Sequence, residues 1–201
     1  MEATFSETIR SEVPKDSLLI SVGLPGSWKS PVTEEIAKIK DFEILRSDFI
    51  RVEVLKGKDI FDEKVASSQD NRMMVYEEMF RRAGATLREG VGGLILDATF
   101  FTQDLRSRAA KLASDASRPL VIAECVCTEE ASMRRILKRT KENYESNALT
   151  RQAYLNNKKI FEPVDIAALK RAYTELPIIE LTIDTEFDDP PRWRVIAIKK
   201  R

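Results

Sequence analysis

Five short apolar runs are spaced along the chain with helix-length amphipathic stretches between them, and this alternation limits the fold more than any other feature. The runs are Leu18–Val22, Phe42–Leu45, Gly92–Leu96, Leu120–Val126 and Ile178–Ile183. Each is short and bounded by turn-forming or polar residues, so each reads as a buried strand. Between them, Val32, Ile36 and Ile39 recur at helical spacing, as do Met73, Tyr76, Phe80, Ala83 and Leu87. Leu105, Ala109 and Leu112 mark a further helix, Met133, Ile136 and Leu137 a very basic one, and another runs to about Phe161. Strands alternating with helices predict an α/β fold: a parallel five-stranded sheet with helices on both faces. The stretch 192–198, beyond the break at Pro190-Pro191, is expected to add an edge strand.

Ligands of such sheets bind beyond the carboxyl ends of the strands. Those ends are Gly23–Ser30, Arg46–Asp48, Asp97–Thr99 and Asp184, which points to one site assembled from four segments. The first is Gly23-Leu-Pro-Gly26-Ser27-Trp28-Lys29-Ser30, lying between a strand and a helix. Its Gly23, Lys29 and Ser30 match the phosphate-loop spacing G-x-x-x-x-G-K-[ST]. Backbone N–H groups, with Gly26 and Ser27 in the turn, would cradle phosphates; Lys29 would reach the terminal phosphates and Ser30 would ligate Mg²⁺. A glycine turn capped by serine is the plainer alternative.

Two residues depart from the pattern. Trp28 stands where the motif has its second glycine, and Pro31 follows Ser30. A side chain there crowds the loop, and proline has no N–H to offer a phosphate. Either the cradle is impaired, or the indole lies outward and the remaining donors suffice. The impaired reading predicts that Trp28→Gly with Pro31→Thr raises ATP affinity.

The chain contains no histidine, which excludes histidine acid–base chemistry and histidine-ligated zinc. Its 33 Lys+Arg balance 33 Asp+Glu, which argues against a generally basic nucleic-acid coat. Neutrality hides a basic stretch from Arg134 to Lys141. The polar start, Met1 to Lys15, does not read as a signal peptide, and no apolar run is long enough to span a bilayer. The expectation is a cytoplasmic protein with no membrane partner. Cys125 and Cys127 then read as reduced thiols, with a redox pair as the alternative.

The segments 23–30, Leu45-Arg-Ser-Asp48-Phe-Ile-Arg51 and Leu94-Ile-Leu-Asp97-Ala-Thr99-Phe100 resemble the P-loop kinases grouped as AAA-family ATPases. Relatives of that group include zeta-toxin kinases, the kinase domain of polynucleotide kinase, and gluconate and shikimate kinases. The likeness covers most of the chain beyond residue 17. It implies a P-loop NTPase-type sheet with a small helical lid: residues 1–17 as an extension and 18–201 as the domain, with the lid at about 134–150. It also implies transfer of the γ-phosphate of ATP–Mg²⁺ to a hydroxyl on a small molecule, a nucleotide or a polynucleotide end. The resemblance gives Asp48 the role of base toward the acceptor, while an N-cap on the following helix is the structural alternative. Asp97 closes a buried strand and would help hold Mg²⁺ or orient substrate, with Thr99 beside it. Arg46 and Arg51 flank Asp48 and would bind substrate or pair with it. Arg135 and Arg139, four apart on a helix, are the leading candidates for a lid arginine. A catalytically silent nucleotide-binding or regulatory pseudokinase is the competing function.

Overall fold

The computed structural model describes residues 3–139 and 149–201. Six strands form one sheet in the order β2-β3-β1-β4-β5-β6. They are β1 (Leu18–Val22), β2 (Phe42–Arg46), β3 (Gly93–Asp97), β4 (Leu120–Val126), β5 (Ile178–Asp184) and β6 (Arg194–Lys200). The first five run parallel, as the alternation predicts. The sixth is antiparallel to β5, so the sheet has one strand more than the five parallel ones, at the edge expected for 192–198. Pro190–Arg192 makes a short 3₁₀ turn before it.

The helices are α1 (Phe5–Glu12), α2 (Lys29–Lys40), α3 (Ser47–Val54), α4 (Glu63–Ser67), α5 (Gln69–Arg88), α6 (Gln103–Asp115), α7 (Glu129–Leu137), α8 (Arg151–Ile160) and α9 (Ile166–Ala172). Strand side chains alternate between faces, and the core divides accordingly. Leu18, Ile20 and Val22 join Leu94, Leu96, Leu120 and Ile122 against residues of α5, α6 and α9. Leu19, Ile95, Val121 and Leu181 point the other way, against Val32 and Ile36 of α2.

Phe5 and Ile9 of α1 are buried in that second core, with Phe5 edge-on to Trp193 at 5.6 Å. The described part of this extension, residues 3–17, therefore carries part of the core. Its helix opens with a capping box between Thr4 and Glu7, a signal present in the sequence. Cys125 is buried and Cys127 half-buried, both as free thiols. No helix among the described residues is long and apolar enough to cross a membrane.

Candidate active site

The loop from β1 to α2 is held by steric necessity. A Cβ at Gly23 (φ +145°) would meet the Cys125 carbonyl oxygen at 2.6 Å. One at Gly26 (φ +83°) would meet the Ser132 carbonyl oxygen, also at 2.6 Å. Both positions need glycine. Trp28 takes a left-handed conformation (φ 55°, ψ 29°), the geometry glycine would supply without strain. For tryptophan this costs about 1–2 kcal/mol. Its indole is drawn to the connection between β5 and β6: Nε1 donates to Asp188 at 3.0 Å. The Arg135 guanidinium lies over its ring, 5.0 Å from the centroid. Pro31 sits in the first turn of α2, where a missing N–H breaks no helical bond.

One cavity of about 290 Å³ gathers most of the site residues expected from the sequence. It is lined by Gly26, Trp28, Lys29, Ser30, Arg46, Asp48, Arg51, Asp97, Thr99 and Arg139. Lys29 Nζ donates to the Leu24 carbonyl at 2.9 Å, folding back along its own loop. Burial pushes its pKa down, while the charges of Asp97 and Asp48 act the other way. Asp48 lies within the first turn of α3; the N-cap is Arg46, so the capping alternative for Asp48 does not hold. Burial, joined by the charge of Asp97, raises the Asp48 pKa to about 6 against the pull of Arg51, Lys29 and Arg139. Asp97 is 4% exposed and accepts a hydrogen bond from Ser21 Oγ at 2.9 Å. Arg46 pairs with Glu34 and lies 3.9 Å from Asp97, with its guanidinium over the Phe49 ring.

The two leading arginines of the basic helix part company. Arg135, 3% exposed, is committed to backbone: Nη1 donates to Gly26 O at 3.0 Å, Nη2 to Thr185 O at 2.5 Å and to Glu186 O at 3.0 Å. Its Nε donates to Asp188 at 2.8 Å. Arg139 instead reaches the cavity, and its charge acts on both Lys29 and Asp48. The central part of the expected lid, 140–148, lies outside the described residues. Asp184 does not line the cavity; it caps the Glu186 N–H at 2.9 Å, while Thr185 Oγ1 bonds the Ser27 carbonyl at 3.1 Å. The fourth strand end thus supports the loop from behind.

Sequence patterns missed several participants. Arg72 and Tyr76 of α5 and Asn156 and Asn157 of α8 also line the cavity. Tyr76 belongs to the apolar stripe of α5 and is 5% exposed; its hydroxyl also accepts the Phe100 N–H at 2.8 Å. That bond steadies a strained residue, since Phe100 has φ 44° just beyond Asp97-Ala98-Thr99. Arg106 is fully buried and donates to the carbonyls of Phe100, Glu162 and Pro163, tying the end of β3 to the chain after α8. Apolar periodicity carries no signal for such staples.

The donor set suits a hard divalent cation held through nucleotide phosphates and water. Ser30 and Asp97 face one cavity. Among the described residues, no group of three or more Cys, Asp or Glu could cage a metal alone.

The fold and site define a P-loop kinase-like protein. The chain belongs to the AAA_33 family (AAA domain), whose model matches residues 18–164. An uncharacterized protein of Mycobacterium tuberculosis is 28% identical over 131 residues, which are 63% of this chain and 26% of that protein. The chain therefore spans about a quarter of the length of the curated relatives it matches. A gluconokinase from Sinorhizobium meliloti shares the fold at TM-score 0.54 and 13% identity, over 85% of this chain and 83% of that one. A structure from the PezAT toxin–antitoxin system of Streptococcus pneumoniae does so at TM-score 0.52 and 15% identity, over 86% and 72%.

Proposed function

We propose that the protein is an ATP-dependent phosphotransferase, moving the γ-phosphoryl group of ATP–Mg²⁺ to a hydroxyl acceptor. The observation that carries this reading is Asp48: a carboxyl held at about 6 in the same cavity as Lys29 and Ser30 of the phosphate loop. A base of that pKa is ionised at neutral pH and still accepts a proton readily. Asp48 receives the hydroxyl proton as the acceptor oxygen bonds to the γ-phosphorus. The bond from that phosphorus to the β–γ bridging oxygen breaks, and ADP leaves. Lys29 exchanges the Leu24 carbonyl for phosphate oxygens, and the backbone N–H groups at the start of α2 take the remaining charge. Ser30 and Asp97 would hold Mg²⁺, which supplies neutralisation of phosphate charge. Arg139 serves the transferring group, and Arg135 positions the loop. The gluconokinase among the proteins sharing this fold accords with a hydroxyl acceptor.

The Trp28 substitution favours the second reading, nucleotide binding without transfer. Anchorage of the indole on Asp188 speaks for the first. The test is transfer from γ-labelled ATP to a panel of hydroxyl compounds and 5′-hydroxyl oligonucleotides, with Asp48→Asn beside the wild type. Transfer that disappears in Asp48→Asn while ATP binding persists supports the proposal. ATP binding with no transfer to any acceptor establishes the second reading instead.

A further inference from the structure

The parallel register sets three polar side chains abreast where the central strands end. Ile20 pairs with Leu96 and Arg46 with Asp97, so Ser21 of β1 stands beside Asp97 of β3, and Asp97 beside Arg46 of β2. The alternation that sends Leu19 and Ile95 toward α2 sends Ser21 and Asp97 the same way. Ser21 is the polar residue of β1, a strand otherwise apolar and buried throughout, and it is itself 0% exposed. A hydroxyl at such a place needs partners. Its Oγ accepts the Ala98 N–H at 3.1 Å and lies 2.9 Å from both Asp97 Oδ1 and the Ala98 carbonyl oxygen. A serine hydroxyl has one hydrogen to give, and a carboxylate is a stronger acceptor than a peptide carbonyl. The hydrogen therefore goes to Oδ1. The main chain of Ala98 aims the hydroxyl, and the hydroxyl aims the carboxylate.

This arrangement makes the two oxygens of Asp97 unequal. Oδ1 is turned onto Ser21. Oδ2 has Arg46 Nε at 3.9 Å, beyond hydrogen-bond reach, and the Arg46 guanidinium is itself drawn to Glu34. Asp97 lines the cavity together with Ser30. Ser21 also stands two residues before Gly23, so the strand that launches the phosphate loop is the one that holds Asp97. We infer that Ser21 is a positioning residue for the divalent cation: it locks Asp97 so that Oδ2 is the oxygen offered to the cation's water shell, in fixed relation to the loop that carries Ser30. Mg²⁺ demands near-ideal octahedral geometry, so a carboxylate free to turn holds it less well. The inference rests on the Ser30–Asp97 cation site of the proposed function and not on the transfer step.

The test measures calorimetric binding of a non-hydrolysable ATP analogue to the full chain, in EDTA and in saturating Mg²⁺. The ratio of the two affinities reads the metal site. In the wild type it should be about 30-fold or more. Ser21→Ala should cut it about tenfold while metal-free affinity stays within about twofold, since partners behind a ligand typically govern 10–100-fold in metal affinity. Ser21→Thr keeps the hydroxyl and should keep most of the ratio; Ser21→Val, alike in shape but without the hydroxyl, should lose it. In an Asp97→Asn background, where the ratio is already lowered, Ser21→Ala should change it less than about twofold. A merely structural serine would instead lower both affinities together, in either background, and that result overturns the inference. If circular dichroism shows Ser21→Ala unfolded, the Thr–Val pair decides. A wild-type ratio near one removes the cation site and the inference with it. Transfer from ATP–Mg²⁺ is scored separately. A ratio that depends on Ser21 without transfer to any acceptor supports the inference and removes the kinase reading. Transfer with a ratio indifferent to Ser21 keeps the kinase reading and overturns the inference.

Discussion

Asp48→Asn should abolish transfer and stabilise the fold. Asp48 titrates at about 6 against a usual 3.8, so its ionised form is less comfortable in the folded protein than in the unfolded chain. The difference is about two pH units, which at about 1.4 kcal/mol per unit amounts to ~3 kcal/mol. The sign follows from proton counting. Between pH 3.8 and about 6 the folded state holds more protons than the unfolded one, so stability falls as pH rises through that window. Above it the cost is fully present. Asparagine carries no charge and escapes the cost. The variant should therefore gain roughly 2–3 kcal/mol at pH 7.5, about half of that at pH 5, and little at pH 4. For a chain of 201 residues the gain at pH 7.5 corresponds to a melting temperature higher by on the order of 5–10 °C. Urea unfolding of both proteins at the three pH values measures it. A variant equal to or weaker than the wild type at pH 7.5 would refute the claim that burial dominates the Asp48 environment. A gain that does not shrink toward pH 4 would assign the effect to something other than titration. With Asp48 as the proposed base, the same raised pKa predicts that wild-type turnover falls below about pH 6, as that carboxylate becomes protonated.

Other substitutions separate anchoring from chemistry. Arg135→Ala removes four donor contacts from the interior and should cost about 3–5 kcal/mol in chemical denaturation, whereas Arg139→Ala should cost about 1 kcal/mol and lower kcat at least 100-fold. Trp28→Gly relieves a left-handed tryptophan but loses the Asp188 bond and the stacking with Arg135, so stability should change by less than about 1 kcal/mol. Its ATP affinity, measured by calorimetry, should stay within about threefold of wild type; a tenfold gain would revive the impaired cradle. Tyr76→Phe strands the buried Phe100 N–H and should cost about 1–3 kcal/mol in thermal unfolding.

The elements legible in the sequence were those with a period or a fixed spacing. Five parallel strands and the helices α2, α5, α6 and α7 follow from apolar runs and stripes, because burial on both sheet faces demands them. The phosphate loop is legible because its chemistry needs fixed spacing. What stayed hidden is what tertiary proximity decides. Arg135 and Arg139 look alike in a basic run, yet one is buried under the loop and the other reaches the cavity. They lie four positions apart, on α7 and just beyond it, and which one is an anchor depends on where the chain after β5 passes. α1 was missed because its two buried residues, Phe5 and Ile9, are too sparse a stripe to stand out from a polar start.

The placement of Trp28 shows how an altered loop can retain its shape. A tryptophan at a left-handed position needs compensation of about the size of its strain. Two contacts supply it: the indole N–H bonded to Asp188 and the guanidinium of Arg135 over the ring. Arg135 also holds Gly26 by its carbonyl, so a single buried cation braces the loop on both sides of Ser27. Asp188 accepts from Trp28 and Arg135 alike, and these bonds hold its carboxyl below the usual range despite its partial burial. The bracing is therefore retained down to acidic pH and weakens when Asp188 is neutralised. Asp188→Asn should leave the fold intact and loosen the loop. Its signature is a rise in the KM for ATP of on the order of tenfold, with Trp28 fluorescence shifted to the red as the indole gains solvent. An unchanged KM and an unshifted spectrum would mean that the loop keeps its shape without the clamp, and that Trp28 is tolerated rather than supported.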